Sequence, residues 1–262
     1  MPVEEFNHSR MNLRFHRLAE QVADHLRQRI LSGELEDGSL LPKEEQLRAE
    51  YPVSKPSLRE AMRILESEGL ITVRRGNLGG AVVHRPSSAN VAYTLGLVLG
   101  SKQVTIADVA AALLEVEPAC AALCAQRSDR KRAVVPVLRK IHREAEKAVD
   151  DLVGITTVSR RYHEALVEYC GNETLIIMAG ALEALWSAHE SSWASRVTDH
   201  GGIPIEERLA VLAEHEAVID AIEAGDAQLA RDLCATHLAE AQRYPGESGT
   251  VDPVAVRERY MQ

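Results

Sequence analysis

Val53-Ser54-Lys55-Pro56-Ser57-Leu58-Arg59-Glu60-Ala61-Met62-Arg63-Ile64-Leu65-Glu66-Ser67-Glu68-Gly69-Leu70-Ile71 reads as a capped helix that is apolar along one side and cationic along another. Ser54 is the expected N-cap, Pro56 is tolerated in the first turn, and Gly69 stops the helix before a short β run, Leu70 to Val73. Leu58, Met62 and Leu65 recur at helical spacing on one face, and Lys55, Arg59 and Arg63, each four apart, line another. Glu60, Glu66 and Glu68 stay off that cationic line, so the stripe suits phosphates.

The neighbouring residues complete a small DNA-reading unit. Upstream, Leu18, Val22, Leu26 and Ile30 predict a helix over 18–32 that Gly33 ends, and Lys43 to Glu50 predicts a second. Downstream, Gly80 to Val83 forms a second β run, with Arg74 to Gly79 as the hairpin loop. Three helices and a hairpin over 1–83 make a winged helix-turn-helix. A polar, proline-containing linker follows at 84–90, and everything beyond it reads as helix: an all-helical antiparallel bundle over 91–244. Helices are expected at 106–127, 129–149, from Thr156 or Thr157 to Gly171, and at 173–197, 205–223 and 226–244. Pro253, Gly246 and Gly249 predict a loosely ordered tail over 245–262, with a short helix near Val254. The fold class is therefore mainly α.

Composition narrows the function. The chain has 262 residues, 45% hydrophobic and 26% charged, with a net charge of −9. Residues 1–85 hold 13 Lys+Arg and 13 Asp+Glu, so the remaining 17 and 26 carry the whole −9. A neutral DNA-binding half with a local basic stripe excludes indiscriminate coating of nucleic acid and calls for specific, salt-dependent contacts. There is no membrane-length apolar run and no signal-peptide pattern at the N-terminus, which predicts a cytoplasmic protein. Cys120, Cys124, Cys170 and Cys234 form no C-x-x-C pair and read as buried reduced thiols.

Taken in order, Leu41 to Leu47, Val53 to Ala61 and Glu68 to Ile71, then Tyr162 to Leu166 with Gly171-Asn172, Glu214-His215 with Gly225-Asp226, and His237-Leu238, resemble the GntR superfamily of bacterial transcription regulators. The resemblance is to its FadR-like branch, with an all-helical FCD-type effector domain, and covers roughly 18–244. It implies that Ser54, Lys55, Ser57 and Arg59 meet DNA at the start of the recognition helix, with Arg75 and Gly76 of the wing near the duplex; Arg63 extends the stripe. Arginine can fork onto a guanine edge or a phosphate, and glycine lets the backbone approach closely. Where the family usually carries a DNA-touching arginine this chain has Glu45, so an operator cannot be borrowed from relatives.

His163, His215 and His237 lie on three separate predicted helices, each flanked by apolar residues that turn it inward. The resemblance implies that they converge on one divalent metal ion, with an Asp or Asn usually one turn before the first. Here Ser159 stands in that position, which leaves three imidazoles and suits zinc or nickel. Many relatives also bring an arginine to the effector pocket four residues before the glutamate aligned with Glu117, where this chain has Leu113. An effector carboxylate would lose that bidentate partner, so either the metal alone holds it or the ligand is more apolar. Trp186 and Trp193, seven apart on one helix, could line the pocket, though core packing is the favoured role.

The resulting expectation is a DNA-binding repressor acting as a homodimer on a near-palindromic double-stranded operator, with a small-molecule effector and no membrane partner. The alternative is a metal-dependent enzyme using His163, His215 and His237 to activate water. It lacks an obvious general base and leaves the winged domain unexplained.

Overall fold

Ser54 caps its helix as expected: its Oγ accepts the backbone N–H of Ser57 at 3.3 Å and starts α3 (Lys55–Ser67), which Gly69 leaves at a φ of +73°. The computed structural model describes residues 3–74, 80–198, 202–241 and 249–260, and divides the chain into two compact units, 1–86 and 87–262.

In the first unit α1 (Val3–Ser32) and α2 (Glu44–Glu50) precede α3, and an antiparallel pair, β1 (Ile71–Arg74) and β2 (Gly80–Val83), follows it. The strands pair with Ile71 opposite Val83 and Arg74 opposite Gly80, and Leu40 bridges to Val82. Leu26, Ile30, Leu47, Leu58, Ala61, Leu65, Ile71 and Val83 fill one core, so the apolar side of α3 is the side that holds the helix in place. Arg27 on α1 grips Glu68 at the end of α3 with two nitrogens, at 2.6 and 2.8 Å. This is the winged helix-turn-helix that the pattern predicts. The wing tip, including Arg75 and Gly76, lies outside the described residues.

The second unit contains α4 (Ser88–Ser101), α5 (Ile106–Gln126), α6 (Arg130–Ala133), α7 (Val135–Lys147), α8 (Leu152–Glu168), α9 (Glu173–Thr198), α10 (Ile205–Ala224), α11 (Ala227–Ala241) and α12 (Pro253–Tyr260). Helix α5 is central, packed against α8, α9, α10 and α11. Two apolar cores meet along it. One joins Cys120 and Cys124 to Leu138, Leu166, Ile219 and Leu238; the other joins Leu113 to Leu185, Trp186 and Val256. All four cysteines are buried and unpaired, and burial pushes the Cys124 thiol up to about 12.

Several boundaries differ from expectation for local reasons. The predicted helix over 129–149 is broken at Val134, because Pro136 has no N–H to give and crowds the preceding turn. Helix α8 starts a turn before Thr156, where the Asp151 side chain accepts the N–H of Val153 at 3.1 Å. The linker expected at 84–90 ends early, since Ser87 already caps α4. Within the tail expected over 245–262, the short helix near Val254 does form, and residues 249–260 are held by the bundle. Ile106 donates its N–H to the Gly249 carbonyl at 2.8 Å, and Val251 donates to Val104 at 3.0 Å. Pro253 of α12 then rests on Gly96 and Gly100 of α4, where an added Cβ would come within 3.3 to 3.6 Å of it, and Val256 is fully buried. No helix among the described residues is long and apolar enough to cross a membrane.

Candidate functional site

The exposed side of α3 carries Lys55, Arg59 and Arg63, with Ser54 exposed at its start. Lys55 reaches Glu44 at 3.1 Å and Arg63 reaches Glu60 at 3.4 Å. Exposed pairs of this kind are weak and yield easily to a phosphate. Ser57 corrects its expectation: it is 1% exposed and its hydroxyl lies 2.9 Å from that of Ser54, so it shapes the helix start instead of facing the duplex. A group that buried reaches a phosphate only if the cap opens.

In the second unit the three histidines do come together. His163 lies on α8, while His215 on α10 and His237 on α11 flank the turn at Gly225. Gly225 has a φ of +81°, and a Cβ there would meet the Arg130 guanidinium at 2.5 Å, so only glycine closes this hairpin and brings the two histidines level. All three rings are 1–2% exposed. The His237 Nε2 is 3.0 Å from the His215 Nε2 and 3.3 Å from the His163 Nε2. Tetrahedral zinc with Zn–N of 2.0–2.1 Å separates its nitrogens by about 3.3 Å, so the spacing fits.

The outer nitrogens explain why the inner ones converge. His163 Nδ1 lies 2.5 Å from Glu117 Oε1, and His237 Nδ1 lies 2.8 Å from Glu214 Oε2. With each Nδ1–H donated to a carboxylate, both Nε2 atoms turn lone pairs to the same point, where they repel unless a cation sits between them. Burial, then Arg160 and His237, hold His163 well below the ordinary imidazole range, and burial, then the other two histidines, does the same for His215. Neutral imidazole is the metal-binding form. The third ring is clamped by Tyr162, which stacks on His215 with centroids 4.0 Å apart and donates its hydroxyl to the His215 carbonyl at 3.3 Å.

Behind the histidines lies a charged group that sequence reasoning missed. Arg160, 5% exposed, lies 2.6 Å from Glu190 and 3.5 Å from Glu183. Burial and then the neighbouring Glu117 charge push the Glu183 carboxyl well up, against the pull of Arg160. The Glu117 carboxyl is raised by burial, but Glu183 and Arg160 pull it back. The one available signal was Arg160 itself, three residues before an inward histidine and so on the same helix face.

The histidines form one wall of a cavity of about 720 Å³, which Ser159, Arg160, Trp193, Arg208 and Glu240 also line. Ser159 does face this space. Leu113 and Trp186 do not line it and are corrected: both are buried in the second apolar core, Trp186 against α4 and α12 neighbours, where an uncharged Leu113 packs without cost. Trp193, seven residues and about 10 Å further along α9, is the tryptophan at the cavity.

Comparison with known proteins agrees with both units. The description "Bacterial regulatory proteins, gntR family" matches residues 18–82, and "FCD domain" matches 108–240. A protein of Escherichia coli (strain K12) named as an L-lactate dehydrogenase operon regulatory protein is 32% identical over 231 residues, 85% of this chain and 84% of the relative. The HTH-type transcriptional repressor NanR of Klebsiella aerogenes is 28% identical over 226 residues, 85% of this chain and 83% of its own. The solved Streptococcus agalactiae GntR shares the fold, with a TM-score of 0.63, 24% identity and coverage of 86% of this chain and 100% of that one. These relatives are transcription regulators, not enzymes, which removes the hydrolytic alternative. With the winged unit and the histidine-bearing helical unit each matched in order, the chain belongs to the GntR family of bacterial transcription regulators, in its FadR-like branch with an FCD effector domain.

Proposed function

We propose that this regulator is a cytoplasmic repressor that binds a near-palindromic operator as a homodimer, and that a metabolite held beside a divalent metal ion in the helical unit alters that binding. The observation that carries the reading is the convergence of three buried Nε2 atoms, two of them aimed by carboxylates on the far side of their rings. His163, His215 and His237 would hold zinc or nickel, with water or the effector in the fourth position and Ser159 nearby. The metal would supply Lewis-acid attraction for an effector oxygen, the part an arginine at position 113 would otherwise play. On the DNA side, Ser54, Lys55, Arg59 and Arg63 are the proposed contacts, with Arg75 and Gly76 of the wing beside them. The repressor sign is favoured by the name of the NanR relative.

The test couples the two halves. Genome fragments selected by the purified protein should yield near-palindromic sites, and zinc titration should show one tight site per chain that His215→Ala abolishes. Enrichment of no specific site, with and without zinc, would refute the operator reading. Full zinc retention in His215→Ala would refute the metal site.

A further inference from the structure

Charge in the helical unit is sorted by position. Residues 127–147 hold eight Lys+Arg against three Asp+Glu, while the rest of 87–262 holds nine against 23. Helix α7 buries Leu138, Ile141 and Ala145, which fixes its outward side. That side carries Lys140, Arg143 and Lys147, all exposed and, at about 100° per residue, within about 60° of one another around the helix. Lys131 and Arg132, on the turn of α6 just before it, are exposed as well. The carboxylates of this stretch are engaged elsewhere: Arg127 holds Asp129 at 2.9 Å, Arg161 holds Glu144 at 2.7 Å, and Glu146 leans to His142 at 3.9 Å. On α3, Lys55 and Arg63 rest on Glu44 and Glu60. Among the described residues no carboxylate lies within ion-pair distance of Lys131, Arg132, Lys140, Arg143 or Lys147.

We infer that this edge of α6 and α7 is a second DNA-contacting surface, one that grips the phosphate backbone of the duplex without reading its sequence. Lys140 to Lys147 spans about 10 Å at 1.5 Å per residue, the axial run of about three phosphates on one strand. A protein partner would call for an apolar centre, and no large apolar side chain of α6 or α7 is exposed; a polyanion needs none. The duplex held by the winged unit is the polyanion at hand. Four residues, 84–87, join β2 to α4, so DNA on the first unit is present at high local concentration for the second. The acidic remainder of the helical unit repels DNA and confines the contact to this edge.

The test measures binding of the full chain to a fluorescent mixed-sequence duplex of about 40 base pairs, between about 50 and 200 mM NaCl. Lys140→Gln, Arg143→Gln and Lys147→Gln together should flatten the slope of log K against log salt by about 2–3 per chain, and weaken binding at least about tenfold near 100 mM. The same charge removed elsewhere on the unit, by Lys102→Gln, Arg231→Gln and Arg257→Gln at exposed positions, should move the slope by less than about 1. Arg143→Lys keeps the charge and should leave the slope as it is. If the triple variant on α7 unfolds early, Arg143→Gln alone reads the same contact as a slope change of about 0.9. Equal slopes for wild type and the α7 variants would overturn the inference, and so would an equal effect from the control triple, which would make net charge the cause. An unchanged slope together with weakened self-association in sedimentation would also overturn it, and would assign the edge to an acidic face of a second copy of this chain.

Discussion

The recognition face and the histidine cluster solve opposite problems. The first is one exposed stripe on one helix, assembled by the four-residue spacing of Lys55, Arg59 and Arg63, and its cations are anchored weakly. The second is drawn from α8, α10 and α11, is almost wholly buried, and each of its outward nitrogens at His163 and His237 has a carboxylate behind it. A local, solvated site can be altered without disturbing the fold. A non-local, desolvated one cannot, because every group in it compensates the burial of another.

The largest effect should therefore come from Arg160. Arg160→Ala leaves Glu183 and Glu190 buried without their cation and should lower the stability of the helical unit by about 3–5 kcal/mol, read by urea unfolding at neutral pH. A loss within the range of ordinary surface changes would mean that water, not Arg160, solvates those carboxylates. Next comes Arg59→Ala, expected to lose about 1–3 kcal/mol of operator affinity, roughly 5- to 150-fold, while unfolding shifts by no more than about 0.5 kcal/mol. Unchanged affinity would break the assignment of α3 as the reading helix.

A smaller, graded effect should separate the two regions by pH. In metal-free protein the folded state holds His215 well below its ordinary value of 6.5, so the unfolded chain takes a proton that the folded one refuses. That contribution is complete above about pH 6.5 and is lost as pH falls toward the depressed folded value. Wild type should thus lose about 1.4 kcal/mol per pH unit more than His215→Gln over the acidic side of pH 6.5. The difference between the two proteins cancels the opposing gain from Glu117 and Glu183, whose raised carboxyls take up protons in the folded state. Parallel stability curves would show that His215 is already charged when folded.

What the sequence made legible follows the same division. Helix α3 could be read whole, since its cap, its stop, its apolar positions and its cations are all local patterns. Even there, Ser57 was misplaced, because its hydroxyl turns back to Ser54 and only coordinates show this. The histidines were visible as inward-facing residues, but their convergence came from family resemblance and not from spacing. Glu214 was passed over as a partner because its contact, His237, is on another helix. Trp186 and Trp193 share a face, yet the cavity meets only one end of α9. The last helix was legible near Val254, but its docking was not, because the small residues of α4 that receive it lie far upstream.

That last contact has a consequence for how the protein is made. The winged unit has its whole core in hand once residue 83 has left the ribosome, and it can fold while the remainder is still being translated. The helical unit starts with α4, whose glycine seat and apolar neighbours stay uncovered until Val251 and Val256 have been synthesised. For most of translation, a finished DNA-binding head precedes an effector unit that cannot yet close.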